Sequence, residues 1–226
     1  TYDIEKYDFK NCLVRRFGYP LEMLYQGVDD SEKEHTIKTE QYTKWHNEYY
    51  RDIENSGFFH CFENFVRTEI PKFFNDESFV YQRVPTFRVQ LPNNIAVGGS
   101  TDPESDEKYG WHRDSDDEYN HPPFEMNFFL PMTRAENTNT VWVESEPNKK
   151  DFKPMEAEYG EYVVWDGANC RHGNKKNKEG YTRVSVDFRA MTYENYLKHE
   201  EVVLRENKVS VTVGVRMLLG EYYQRV

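Results

Sequence analysis

The sequence predicts a mainly β protein with α-helices, in which a helical layer packs against a β-barrel or β-sandwich. Two observations lead to this fold class. Apolar residues recur at helical spacing up to about residue 75, and the period then changes to two, with short polar turns between the alternating segments. No helix-length segment separates the later strands, so a parallel βαβ architecture is disfavoured. A jelly roll is the natural eight-stranded candidate.

Two amphipathic stripes predict the helical layer, at about residues 39–75. The first stripe places four apolar or aromatic residues on one helix face: Tyr42, Trp45, Tyr49 and Ile53. The tripeptide NSG at 55–57 interrupts the pattern. The second stripe has five members: Phe58, Phe62, Phe65, Val66 and Ile70. Pro71 is expected to end this helix, and residues 1–38 carry no pattern that assigns them.

Segments with alternating apolar residues predict the β core, at about residues 78–190. They are 79–91, 124–132, 139–145, 161–167 and 182–190. Residues 191–226 are predicted to form a C-terminal extension of one or two further strands. A length of 226 residues fits a single domain.

Charge and composition narrow the function classes. The chain has 29 Lys and Arg against 40 Asp and Glu, a net charge of −11, and no basic run that stands clear of acids. A nucleic-acid partner is therefore disfavoured, and a cationic or neutral small molecule fits better. Three widely spaced cysteines without a CxxC pair suggest reduced thiols in the cytoplasm. We expect no membrane partner, because no apolar run approaches the ~18 residues of a span and no signal-peptide core is visible.

Three residues could converge on a metal ion. His112 and Asp114 are two apart, so an extended strand would point both side chains to the same side. His172 follows the predicted strand 161–167 and a short turn, at the start of the next strand. Two imidazoles and one carboxylate are the donor set of the facial triad in non-haem Fe(II) oxygenases. A zinc hydrolase could use the same ligands, and the HRD triplet alone also fits a solvated acidic loop.

Arg183 favours an oxygenase. It follows His172 by eleven residues, and Ser185 lies on the same face of the predicted strand. A guanidinium with a neighbouring hydroxyl suits a carboxylate, so the pair is predicted to hold the far carboxylate of 2-oxoglutarate. The alternative is an arginine on a solvated strand face that pairs with a glutamate.

The segments WHRD, HPPFEMNFFLPMT, NTVWVES and GEYVVWDGANCRHGNKKNKEGYTRVSVDFR resemble those of the Fe(II)/2-oxoglutarate-dependent dioxygenases. Within them, the sequence resembles the phytanoyl-CoA hydroxylase-like branch, and more closely the StrG-type proteins of streptomycin biosynthesis, over about residues 84–190. The resemblance implies a double-stranded β-helix, which is a jelly-roll or cupin-like barrel. It implies that His112, Asp114 and His172 bind Fe(II), and that Arg183 with Ser185 anchors 2-oxoglutarate, with dioxygen as the other reactant. The family's halogenases lack the carboxylate ligand, so Asp114 disfavours a halogenase.

Other residues are weaker candidates for the site. Asn127 points opposite to its neighbour Phe128, and it either faces the interior as a donor to 2-oxoglutarate or lies on the outer surface. Gln90 is a candidate for contact with the cosubstrate or substrate. Asp166 is predicted to orient His172, because ligand imidazoles usually donate their other N–H to a partner.

The substrate is expected to be a small metabolite, such as a sugar, an amino sugar or a natural-product intermediate. The acidic run 116–118 after Asp114 is either a solvated loop or an attractor for a cationic substrate. Two other functions stay open: a metal-dependent cupin-type isomerase or epimerase, and a non-enzymatic ligand-binding jelly roll. A monomer and a homodimer are both compatible with the sequence.

Overall fold

The computed structural model describes residues 1–29, 43–75, 77–96, 102–103, 110–117, 119–210 and 214–226. Its α-helices in these ranges are α1 (Phe9–Phe17), α2 (Lys44–Tyr50), α3 (Gly57–Glu69) and α4 (Tyr193–Glu206). Its strands are β1 (Phe79–Gln82), β2 (Thr86–Gln90), β3 (Met126–Pro131), β4 (Val141–Val143), β5 (Lys153–Pro154), β6 (Val163–Trp165), β7 (His172–Asn174), β8 (Arg183–Thr192) and β9 (Tyr223–Arg225). Within these ranges, no helix combines the length and the apolar character needed to cross a bilayer.

The helical layer begins earlier than the sequence patterns indicate, with α1. Phe9, Leu13 and Phe17 recur every four residues along this helix, and all three are buried. Gly18 ends it in the left-handed conformation, with φ 69° and its N–H bonded to the Val14 carbonyl at 2.9 Å. The stripe is short and lies among charged residues, which is why the sequence alone leaves 1–38 unassigned.

Helices α2 and α3 begin at side-chain caps. Thr43 accepts a hydrogen bond from the His46 N–H, and Ser56 accepts one from the Phe59 N–H. Ile53 lies in a 3₁₀ turn after α2 rather than in the helix, and Tyr42 falls outside the described residues. The second predicted stripe is buried throughout, so α3 packs as the sequence predicts.

The strands form two antiparallel sheets. In the larger sheet the order is β6-β3-β8-β1-β9, and β2 pairs with β8 on the same edge as β1. The smaller sheet has the order β5-β4-β7. The combination of helices with antiparallel sheets is confirmed. Neither sheet closes on itself among the described residues, so the predicted jelly-roll barrel is not shown.

Strand β8 lies between the core and the site. Val184, Val186, Phe188 and Ala190 pack into the main apolar core beneath the helices. Phe188 contacts the Phe62 ring of α3 at 5.1 Å and stacks on Phe128 of β3 at 4.8 Å, both measured between ring centroids. Because side chains alternate along a strand, Arg183, Ser185, Asp187 and Arg189 face the other way.

The predicted C-terminal strand extension, residues 191–226, is wrong for Tyr193–Glu206, which forms α4. Among the residues that the structure describes after α4, β9 is the one strand. The Thr192 side chain accepts a hydrogen bond from the Asn195 N–H and caps the helix. Tyr196 and Val203 are buried on one face, and Glu194 pairs with Lys198 one turn later at 2.8 Å.

The contact between α3 and β8 gives a first prediction. Replacing Phe62 with Ala should lower the free energy of unfolding by about 3–5 kcal/mol, because a fully buried ring against Phe188 leaves a cavity. His60→Ala on the exposed side of the same helix is the matched control and should change it by less than about 0.5 kcal/mol. Urea denaturation measures both, and equal stability of the two variants would contradict the packing described.

Candidate active site

His112, Asp114 and His172 meet at one point. The backbones of His112 and His172 exchange two N–H···O=C hydrogen bonds of 2.9 Å, an isolated bridge that fixes the two residues side by side. The Asp114 N–H bonds to the Gly167 carbonyl at 2.9 Å. Asp114 Oδ1 then lies 3.5 Å from the Nε2 atom of each histidine. The three candidate ligand atoms are within 4.8 Å of one another, so they could hold a metal ion.

The other ring nitrogens orient the two imidazoles. His112 Nδ1 lies 2.9 Å from the Gly110 carbonyl oxygen, and His172 Nδ1 lies 3.0 Å from the Cys170 carbonyl oxygen. A carbonyl only accepts, so each Nδ1 donates, and Nε2 is the nitrogen that each ring directs at the shared point. Burial and the neighbouring His172 lower the pKa of His112, which favours the neutral form that binds metals.

The predicted role of Asp166 is different in the structure. Its carboxylate accepts hydrogen bonds from the backbone and side-chain N–H groups of Asn169 and so stabilises the turn before Cys170. The partner of His172 is the Cys170 carbonyl. A backbone partner leaves no side-chain signal in the sequence.

Asp114 is held by its other oxygen. Oδ2 accepts hydrogen bonds from Asn127 Nδ2 at 2.7 Å, Arg189 Nε at 3.1 Å and Arg189 Nη2 at 3.0 Å. Oδ1 is thereby directed at the two Nε2 atoms. Burial raises the pKa of Asp114, but the positive charge of Arg189, together with the two nearby histidine side chains, outweighs it, so the pKa lies well below its usual range.

A chain of buried ion pairs continues from Asp114. Arg189 Nη1 donates to Asp187 Oδ2 at 2.6 Å, and Asp187 Oδ1 accepts from Arg88 Nε at 3.2 Å. Burial lowers the pKa of Arg189, whereas Asp114 and Asp187 raise it more strongly, and the net shift is well upwards. The guanidinium therefore stays charged beside the candidate ligand.

Arg183 lies at the other end of the same strand face and is 1% exposed. Its Nε donates to the Asn139 carbonyl at 2.8 Å, and Nη1 donates to Ser185 Oγ at 2.7 Å. Nη2 lies 3.3 Å from the side-chain oxygens of both Gln90 and Asn174. The predicted pair of Arg183 and Ser185 is thus formed, and all four of these partners are uncharged oxygen atoms.

One pocket brings these groups together. With a cavity volume of about 130 Å³, it is lined by all three triad residues as well as Arg183 and Ser185. Asn127 is fully buried, faces the interior and contacts Asp114, whereas Gln90 contacts Arg183; both lie behind the residues that line the pocket.

Several pocket residues are absent from the sequence-based candidates. Tyr119 stacks on the His112 ring at 4.2 Å, and Trp165 meets the His172 ring edge-on at 4.4 Å. His121 and Tyr222 also line the pocket. Tyr119 and His121 lie close to Asp114 in the sequence, and this proximity could have identified them as candidates. Tyr222 comes from the C-terminal region, where no motif marks it.

The fold and the site define a class: a protein with antiparallel β-sheets and a buried candidate metal site of two histidines and one carboxylate. No known family model matches the chain. The chain is 36% identical to the streptomycin biosynthesis protein StrG of Streptomyces griseus. The aligned region of 203 residues covers 89% of this chain and 85% of that protein. The chain belongs to the StrG family, and the predicted resemblance to StrG-type proteins is confirmed.

Two solved structures that are similar to this protein share little sequence identity with it. CytC3 with Fe(II) and alpha-ketoglutarate is 15% identical, with a TM-score of 0.45, over 81% of this chain and 69% of its own. AviO1 from Streptomyces viridochromogenes Tue57 is 15% identical, with a TM-score of 0.44, over 84% and 86% respectively.

The hydrogen bonds around Asp114 give a second prediction. Arg189→Met should lower the free energy of unfolding by about 3–5 kcal/mol, because it leaves the buried carboxylate of Asp114 without its cation and removes one of the two arginines paired with Asp187. The exposed Arg205 provides the matched control, and Arg205→Met should cost less than about 1 kcal/mol. Denaturant unfolding at neutral pH compares them. A loss no larger than the control's would show that Arg189 does not compensate the buried charge.

Proposed function

We propose that the protein is an Fe(II)- and 2-oxoglutarate-dependent oxygenase that hydroxylates a small-molecule metabolite. The observation that carries this proposal is one pocket that combines a two-histidine, one-carboxylate cluster with a buried Arg183–Ser185 pair. A metal site alone would also suit a hydrolase or an isomerase. A guanidinium in the same pocket matches a cosubstrate that carries a second carboxylate.

The donor atoms fit Fe(II). Both imidazoles offer Nε2 in the tautomer that binds metals, and Asp114 offers Oδ1 while its Oδ2 is held by Asn127 and Arg189. This is the donor set of the facial triad, which leaves coordination positions open. When bound, Fe(II) would supply oxidation of a substrate C–H bond by dioxygen, coupled to conversion of 2-oxoglutarate to succinate and carbon dioxide.

The chain's own residues would bind and orient the reactants. Arg183 and Ser185 would hold the far carboxylate of 2-oxoglutarate and so set the direction of its other end. Gln90 is best explained as a residue that positions Arg183, because its oxygen accepts from the guanidinium while its amide donates to the Lys175 carbonyl at 2.7 Å. Asn127 positions Asp114 in the same way.

Aromatic side chains would exclude water around the ligands. Tyr119 covers one face of the His112 ring, and Trp165 covers His172. An apolar wall strengthens the electrostatic interactions inside the pocket. We further propose that the two antiparallel sheets are the two halves of a double-stranded β-helix, which the backbone bridge between His112 and His172 supports.

Metal binding gives a third prediction. Zn(II), a redox-inert probe, should raise the unfolding temperature of the protein, since it binds the folded state with a gain of about 2.7 kcal/mol at one hundred times its Kd. His172→Ala should abolish the shift, whereas His60→Ala, on the exposed side of α3, should retain it. An equal shift in both variants would place the metal elsewhere.

Cosubstrate binding gives a fourth prediction. Anaerobic addition of 2-oxoglutarate to the Fe(II) protein should produce a visible charge-transfer absorption, and aerobic turnover should release succinate. Arg183→Ala should weaken 2-oxoglutarate binding by about tenfold to hundredfold through loss of charge-assisted hydrogen bonds. Arg134→Ala, at an exposed position, is the control.

The same titration separates the competing classes. Metal binding without any effect of 2-oxoglutarate would favour a cupin-type isomerase. The absence of metal binding would favour a ligand-binding module. An unchanged 2-oxoglutarate affinity in Arg183→Ala would move the anchor to another arginine of the pocket.

A further inference from the structure

The carboxylates that line the pocket, Asp114 and Asp187, are already paired with arginines. Asp187 uses one oxygen for Arg88 and the other for Arg189, and Asp114 is bound by Arg189. A cationic substrate would therefore have to compete with existing ion pairs for each of these two carboxylates. Asp116, from the acidic run after Asp114, accepts a hydrogen bond from the Arg113 backbone instead of lining the pocket.

Two polar side chains of the pocket are available to a ligand. His121 and Tyr222 both line the pocket, and their rings meet edge-on at 5.8 Å. Among the described residues, neither the His121 Nε2 atom nor the Tyr222 hydroxyl has a hydrogen-bond partner. Burial raises the pKa of Tyr222 well above its usual value, so its hydroxyl stays protonated and can donate.

His121 is fixed from behind. Its Nδ1 lies 2.7 Å from Glu125 Oε2, and the other Glu125 oxygen accepts the Tyr223 hydroxyl. The side chain of Glu125 is fully buried. The backbone N–H of His121 also bonds to the Asp114 carbonyl at 3.0 Å, which places the histidine beside the candidate metal ligand. A hydrogen bond to one ring nitrogen fixes the orientation of an imidazole, and here it directs the other nitrogen, Nε2, at the pocket.

We propose that His121 and Tyr222 form a substrate subsite for a neutral hydroxyl-bearing group, as in a polyol or sugar. A hydroxyl both donates and accepts, so it can satisfy the imidazole and the phenol together. The aromatic walls of Tyr119 and Trp165 suit the C–H faces of such a molecule. This inference rests on the proposed function, because it assigns the part of the pocket left beside the metal and 2-oxoglutarate.

The test titrates defined probes into the protein loaded with Zn(II) and 2-oxoglutarate. The probes are myo-inositol and methyl glucoside as neutral polyols, glucosamine as the cationic analogue and glucuronate as the anionic one. Saturation-transfer NMR gives the dissociation constants. We expect a neutral polyol to bind more tightly than either charged analogue.

Variants locate the binding. Tyr222→Phe removes only the hydroxyl, and it should weaken polyol binding by about fivefold or more. His121→Gln should have a similar effect, and Glu125→Gln should act through the orientation of His121. Tyr181→Phe is the matched control, since the Tyr181 hydroxyl bonds to Glu136 outside the pocket.

Three outcomes would overturn the subsite. The first is that glucosamine or glucuronate binds more tightly than the neutral polyols. The second is that no polyol binding is detected even at concentrations well above millimolar. The third is that Tyr222→Phe leaves the polyol affinity unchanged. Zn(II) and 2-oxoglutarate affinities are measured in the same samples, and the polyol titration is repeated without metal. Loss of metal or cosubstrate binding would therefore count against the proposed function, separately from the subsite.

Discussion

The alternation of side chains along β8 is the constraint on which the rest of the molecule depends. One face of this strand supplies the apolar residues beneath the helices, and the other supplies Arg183, Ser185, Asp187 and Arg189 to the pocket. A shift of one residue in the pairing of β8 with its neighbouring strands would exchange the two faces. Four charged or polar side chains would then lie in the apolar core. The aromatic contacts of Phe188 with Phe62 and Phe128 therefore also fix the position of the site.

Burying so much charge is possible only because the groups are arranged as a chain. The register of β8 places Arg189 opposite Asn127 of β3, so two residues on neighbouring strands donate hydrogen bonds to the same oxygen of Asp114. Asp187, opposite Thr86 of β2, joins Arg189 to Arg88. An isolated carboxylate in this position would gain a proton; the paired one stays ionised and available to a cation.

Sequence periodicity predicts the local parts of this arrangement. The alternation in 182–190 predicts which residues of β8 share a face, and the stripe from Phe58 to Ile70 predicts the buried side of α3. His172 lies at the start of a strand, as the preceding turn predicts. These features depend on neighbours in the chain, so spacing is sufficient to find them.

Long-range contacts could not be found in this way. The Cys170 carbonyl that orients His172 belongs to the backbone, and the pairing of Arg189 with Asp114 joins residues 75 positions apart. The C-terminal region is the clearest case. The extension 191–226 is predicted to form strands, whereas Thr192 caps a helix, α4, at residues 193–206.

The last residues of the chain complete the pocket through the sheet. β9 pairs with β1 and adds an edge to the larger sheet, with Tyr223 opposite Gln82. This register places Tyr222 against the pocket, while the Tyr223 hydroxyl binds Glu125 behind His121. The residue before this edge strand, Tyr222, thus lines the pocket, and the first residue of the strand, Tyr223, supports His121 through Glu125. The part of the pocket lined by Tyr222 consequently depends on the pairing of β9 with β1.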